Sequence, residues 1–282
     1  MNSITQGLAP ARRGVQLIGI VSLALILSLT GAFAQTVQNG NFTATPSGGW
    51  TTSNGATDTF IEQGGSQIQT LPNWTVTGTG GWDCVDQTST IVTNPANGNC
   101  GNSNFNFTTS PGAVPGGYTG GIFVADAGDP IAISQTLSGL VAGKTYSLSF
   151  YFSGAQQSGY SGASTDYWAV TTAQTNSSGT VTGTSSTVDT PTLTIGTGSN
   201  GGGQCCGPTN SFAKDTVTFT ADATGYETVT FLVGGTGNNG EPPFMFLANV
   251  AVTQVPEPAS LALFSVGLAG LIAMRRRPGN AA

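Results

Sequence analysis

The sequence predicts an all-β protein, an antiparallel β-sandwich, on three observations. Charged residues make up only 7% of the 282 positions, against about 25% in ordinary soluble domains. In their place stand Thr, Ser and Asn, residues that favour strands, caps and turns over helix interiors. The patterned stretches alternate apolar and polar residues with period two, the signature of a half-buried strand. Between them fall Gly- and Asn-rich breaks, drawn from 42 Gly and 14 Pro in the chain, which punctuate strands with turns. A content of 38% apolar residues, with 14 Phe and 4 Trp, is enough to build a core rather than leave the chain disordered.

The clearest strand is Lys144–Ser153, where Tyr146, Leu148, Phe150 and Phe152 share one face. Val217 and Phe219 alternate with threonines, as do Val229, Phe231 and Val233, and Phe246, Ala248, Val250 and Val252 repeat the pattern near the end. Further strands are expected at 36–42, 70–76, 121–126, 131–137, 167–172 and 192–195, about ten in all. The segments 45–69, 94–117 and 176–190 are polar and unpatterned and read as loops, the last as an insertion with no core role. One sandwich accounts for the roughly 220 central residues.

The two ends read as addresses. Arg12 and Arg13 precede the apolar run from Val15 to Leu29, and Ala32 and Ala34 supply small residues for signal peptidase. Residues 1–34 are therefore expected to be a secretory signal peptide, with an N-terminal signal helix. At the other end Val255, Pro256, Glu257 and Pro258 precede sixteen mostly apolar residues and then Arg275, Arg276 and Arg277. Sixteen residues of helix reach about 24 Å, short of a ~30 Å hydrocarbon core yet adequate with interfacial flanks. The arginines favour the cytoplasmic side of the inner membrane, leaving the preceding chain outside. The expected division is 1–34 signal peptide, 35–254 β-sandwich and 255–282 sorting segment with a C-terminal transmembrane helix.

That terminal arrangement resembles the PEP-CTERM sorting signal of Gram-negative bacteria. The resemblance implies recognition of the Pro-Glu-Pro segment by the membrane protease exosortase, and transfer to the cell surface or extracellular matrix. A second resemblance runs through the centre. Val37-Gln38-Asn39-Gly40-Asn41-Phe42, Leu71-Pro72-Asn73-Trp74-Thr75-Val76, Ile133-Ser134-Gln135-Thr136-Leu137, Lys144-Thr145-Tyr146-Ser147-Leu148-Ser149-Phe150 and Phe246-Leu247-Ala248-Asn249-Val250-Ala251-Val252 occur in order. They resemble segments of galactose-binding-like jelly-roll modules, including choice-of-anchor proteins, and imply that fold. Such modules often place calcium-binding carboxylates in the opening and closing motifs. Thr43 and Ala248 stand there instead, which argues against a structural calcium. No cofactor and no metal site are expected; Asp126 and Asp129 read as a solvated turn.

Charge and composition exclude several function classes. Between residues 35 and 254 two lysines face twelve carboxylates, a net charge of −10, and such a surface repels nucleic acid. The chain has no His, so triads and zinc sites that depend on His are absent. Cys84, Cys100, Cys205 and Cys206 suit an oxidising compartment and allow three pairings. The short Cys84–Cys100 loop is favoured, and its closure would contribute about 3 kcal/mol by restricting the unfolded chain.

A glycoside hydrolase needs two carboxylates about 5–10 Å apart, and Asp83 and Asp86 beside Trp82 are the pair to consider. The expectation is nevertheless a non-catalytic protein that associates with extracellular polysaccharide, in biofilm matrix, by carbohydrate binding. Trp82, Trp168, Tyr160, Tyr167 and Tyr118 are the candidate ligand-binding rings, since sugars lay their C–H faces on exposed aromatics. A structural or adhesive surface protein without a sugar site is the alternative, and a hydrolase the third.

Overall fold

The computed structural model describes residues 34–35, 37–53, 56–63, 66–67, 69–78, 81–87, 107, 111–128, 131–158, 163–195, 211–236, 243–256 and 267. The chain divides into units Met1–Gly31 and Ala32–Ala282, and the described residues all belong to the second.

Fifteen strands form among them. They are β1 (Ala34–Gln35), β2 (Thr51–Ser53), β3 (Ala56–Gln63), β4 (Ser66–Gln67), β5 (Thr75–Thr77), β6 (Trp82–Asp86), β7 (Ile122–Asp126), β8 (Ala132–Ser138), β9 (Thr145–Gln156), β10 (Ser164–Thr175), β11 (Val181–Asp189), β12 (Leu193–Ile195), β13 (Ala213–Thr220), β14 (Tyr226–Gly235) and β15 (Pro243–Gln254). One sheet has the order β13-β9-β15-β7-β6-β3-β2, with β1 on β15 and β4 on β3. The other has the order β11-β10-β14-β8-β5, with β12 on β10. The registered pairs are antiparallel.

The two sheets pack face to face. Phe150 and Val85 of the first sheet and Phe231, Val170 and Ile133 of the second belong to one buried cluster. Phe150 meets Phe231 edge-on at 5.1 Å, and Phe123 meets Trp168 at 6.5 Å. A second cluster lies on the opposite face of the first sheet, built from Cys84, Ile122, Val124, Phe244, Phe246 and Ala248 with Phe107 laid over them. Strands β6, β7 and the first half of β15 are therefore buried on both faces, which is why β7 and the start of β15 read as near-continuous apolar runs, while β6 buries Asp83 and Asp86 as well.

Three sequence expectations change. Residues 38–42 are turns, with Asn39 and Phe42 at φ 53°. The loop expected at 45–69 holds β2, β3 and β4. Residues 181–189, expected as an insertion, form the edge strand β11, all nine residues exposed; its backbone pairs with β10 while its side chains contribute nothing to the core. The alternation Phe246–Ala248–Val250–Val252 also divides. A register shift between Ala248 and Ala251, with Asn249 at φ 51°, inserts an extra residue. Phe246 and Ala248 consequently face the second cluster, and Val250 and Val252 face the first.

Among the described residues no helix is long and apolar enough to cross a membrane. The expected signal helix and the apolar run of the C-terminal helix fall outside the described residues, Gly267 excepted.

Candidate functional site

The structure does not assemble the five candidate rings into one platform. Trp168 is fully buried, its indole nitrogen donating to the Phe246 carbonyl at 3.2 Å and its ring edge-on to Phe231 at 6.2 Å. It faces inward on β10 as the core bridge between the sheets, so the expectation that it meets a ligand is corrected. Tyr118 is half-buried, its hydroxyl 2.9 Å from the Asn41 carbonyl and 2.7 Å from that of Gly121. Burial pushes its phenol up to about 12, and its polar end belongs to the fold. Trp82 keeps exposed surface while packing edge-on against Phe60 at 5.6 Å. Tyr167 is half-buried on the outer face of the second sheet, its ring over Gly234 of the neighbouring strand. Tyr160 lies outside the described residues.

The carboxylate pair is not a pair. Residues three apart on a strand point to opposite faces, and Asp83 shares the face of Val85 while Asp86 shares that of Cys84. Both are buried. Asp83 accepts the Asp126 backbone N–H at 2.9 Å, and Asp126 accepts that of Gly128 at 2.8 Å. Asp129 lies outside the described residues. Two carboxylates on opposite faces of one strand do not flank a glycosidic bond.

Asp166 is the remaining acid in this region. It is fully buried, taking the Ser164 hydroxyl on Oδ2 at 2.6 Å, while Oδ1 has no partner among the described residues. Burial pushes it up to about 6, with the nearby Asp126 charge adding to the rise against the Ser164 bond. Among the described residues no three His, Cys, Asp or Glu side chains gather into a group that would hold a metal.

A cleft opens instead at the flank where edge strand β11 overhangs β13. It has a volume of about 160 Å³, with Thr184 and Ser186 on one rim and Thr218 and Thr220 on the other. Phe219 supplies the apolar wall, stacked on Tyr146 at 5.6 Å. Gln174 spans the cleft, its Oε1 accepting the Thr184 N–H at 3.0 Å and its Nε2 reaching the Thr220 carbonyl at 3.4 Å. Glu227 also lines it. That residue is 2% exposed, and its Oε2 has no hydrogen-bond partner among the described residues. Burial, with the charge of Asp222 adding to it, pushes its carboxyl up to about 7. Sequence reading missed Glu227. The signal was available: Val229, Phe231 and Val233 face the core, and one more step of two back along β14 arrives at a carboxylate.

Cys84 is fully buried and disulfide-bonded; Cys100, Cys205 and Cys206 lie outside the described residues. At the C-terminal end of β15 the Val255 N–H donates to the Thr145 carbonyl at 2.8 Å, and Val255 and Pro256 are exposed. Glu257, Pro258 and Arg275–Arg277 lie outside the described residues, as does Ala32.

Comparison with known proteins finds low-identity structural likenesses. The bacteriophage CBA120 tailspike protein 4 enzymatically active domain is 14% identical with a TM-score of 0.38; the match covers 68% of this chain and 21% of that one, so the chain spans about a fifth of it. A Stig cyclase, Fisc from Fischerella sp. TAU, is 14% identical over 80% of this chain and 100% of that one, with a TM-score of 0.40. TmCBM61, solved with β-1,4-galactotriose, is 16% identical over 65% of this chain and 90% of that one, with a TM-score of 0.33. No curated protein matches the chain. At the C-terminus the match is to a defined signal: the chain carries a PEP-CTERM protein-sorting motif over residues 254–277.

Proposed function

We propose that this is an exported, exosortase-sorted surface protein of a Gram-negative bacterium whose β-sandwich associates with extracellular polysaccharide without catalysing a reaction. The observation that carries the reading is the sorting motif beginning at residue 254, on the last residue of β15. The sandwich closes and the sorting segment follows at once, so the sandwich is the part delivered outside. In this reading residues 1–34 are a signal peptide removed after Ala34, residues 35–254 the delivered domain, and residues 255–282 the anchor that exosortase cuts. The sandwich takes a galactose-binding-like jelly-roll arrangement, with Cys84 paired to Cys100. Trp82 and Tyr167, which keep exposed ring surface, together with Tyr160, are the rings offered to a sugar.

Expression in an exosortase-containing host tests the sorting. Glu257→Ala is expected to leave an unprocessed chain in the membrane fraction, and normal release of that variant would sink the assignment. Co-sedimentation of the processed protein with isolated extracellular polysaccharide tests the association. Failure to sediment would favour the structural or adhesive reading, in which there is no sugar site.

A further inference from the structure

The Glu227 cleft calls for a ligand. A buried carboxyl is accommodated by protonation, by a cation or by hydrogen-bond donors, and leaving one of its oxygens unmatched is costly. Around Glu227 the lining offers hydroxyls and amides from Thr172, Gln174, Thr184, Ser186, Thr218 and Thr220, and no Lys or Arg. The charge that acts on Glu227 is that of a second acid, Asp222. Residues 35–254 hold only two lysines against twelve carboxylates, so the whole domain attracts cations. A donor of positive charge arriving from outside would supply the missing partner and hold the carboxyl ionised. Fewer than three acids line the cleft, too few charged ligands for a calcium ion. A primary ammonium fits better: its three N–H groups need several acceptors at hydrogen-bond distance, and a carboxylate among hydroxyls supplies them.

The rest of the cleft suits a sugar carrying that ammonium. Its volume of about 160 Å³ takes one ring rather than a chain, and its open side along β11 and β13 leaves the neighbouring units of a polymer outside. Phe219 gives an apolar wall for ring C–H groups, and the paired threonine and serine rims face the ring hydroxyls. We propose that the cleft between β11 and β13 binds a hexosamine residue with a free amine, its ammonium held by Glu227 and its ring seated between Phe219 and the hydroxyl rims. The inference rests on the polysaccharide reading above and narrows it to an amine-bearing polymer.

Three β-1,4-linked hexasaccharides that differ only at C2 test this: glucosamine hexamer, N-acetylglucosamine hexamer and cellohexaose. Titration calorimetry with the exported, processed protein is expected to show the glucosamine hexamer bound at least 10-fold more tightly than the other two. Glu227→Gln is expected to remove that preference, while Asp189→Asn, an exposed acid outside the cleft, leaves it intact. Ser186→Tyr, which fills the cleft from the β11 rim and keeps Glu227, is expected to weaken binding as well; circular dichroism verifies that each variant is folded. Equal binding of all three sugars, or no effect of Glu227→Gln, would overturn the hexosamine site and leave the broader polysaccharide reading standing. Equal losses in Glu227→Gln and Asp189→Asn would reduce the effect to bulk charge and overturn the site. Binding of none of the three, with co-sedimentation on native polysaccharide retained, would overturn the site alone; loss of both would overturn the site and the reading together.

Discussion

Gly40 and Val250 lock the two ends of the sandwich together. The Val250 N–H donates to the Gly40 carbonyl at 2.9 Å, and a Cβ built on Gly40 would collide with the Val250 carbonyl oxygen. The contact falls where β15 carries its extra residue, beside Asn249 at φ 51°. The opening Asn39-Gly40 turn is thereby seated against the closing strand.

Gly40→Ala is expected to destabilise the domain by about 2 kcal/mol or more, since the obstruction is backbone and cannot rotate away. Urea unfolding compared with the parent chain measures it. A loss below about 0.5 kcal/mol would show that the turn can shift off β15.

Trp168 and Trp82 are expected to part company. Trp168→Ala empties a fully buried site and should cost about 3–5 kcal/mol with no direct effect on a bound sugar. Trp82→Ala removes a half-exposed ring and should cost less. Melting temperatures of both variants decide the order; a larger fall for Trp82 would contradict the assignment of Trp168 to the core.

Gln135 is a polar residue facing the core on β8. Its Oε1 accepts the Gln38 N–H at 2.8 Å, and its Nε2 is 2.8 Å from the Gln38 carbonyl and 2.7 Å from that of Asn73. Gln135→Leu leaves those backbone groups unmatched and should cost about 2–4 kcal/mol. A near-neutral result would mean that water replaces the amide.

Stability is expected to rise on mild acidification. Asp166 titrates near 3.8 unfolded and about 6 folded; Glu227 near 4.5 unfolded and about 7 folded. Between each pair of values the native state holds more protons than the unfolded chain, so stability falls as pH rises through the window and is greatest below it. From these two groups alone, lowering pH from 7 toward 4.5 strengthens the fold, opposite to the usual effect of salt-bridged carboxylates. Asp166→Asn should raise stability at pH 7 by about 2 kcal/mol and flatten the profile between pH 4 and 6. Urea midpoints from pH 4 to pH 8 check both; an unchanged slope in the variant would clear Asp166 of the effect.

The long strands were legible because alternation is a local property. Strand β9 and the cores of β13 and β14 follow directly from the period of their side chains. Strands β2 to β4 were not, because polar strands at the far end of a sheet resemble loops when only composition is read. Strand β11 failed for the same reason: nine exposed residues carry no inward face to detect. The bulge at Asn249 was invisible because one extra residue reverses faces without disturbing the pattern before or after it. Among candidate site residues, aromatic type alone could not separate Trp168, which bridges the sheets, from Trp82, which keeps a solvent face. Glu227 was hidden because it precedes Val229, the first apolar residue of the alternation in β14.

The placement of β15 bears on how the protein withstands force. It is held along Pro243–Gln254 by β9, along Phe244–Leu247 by β7, and at Val252 and Thr253 by β1. The sorting tail leaves from the end of this interior strand rather than from a sheet edge. A pull directed along β15 loads ladders on both of its sides at once, where an edge strand has a ladder on one side alone. In the tethered form proposed above, the load would fall on a strand paired on both of its sides.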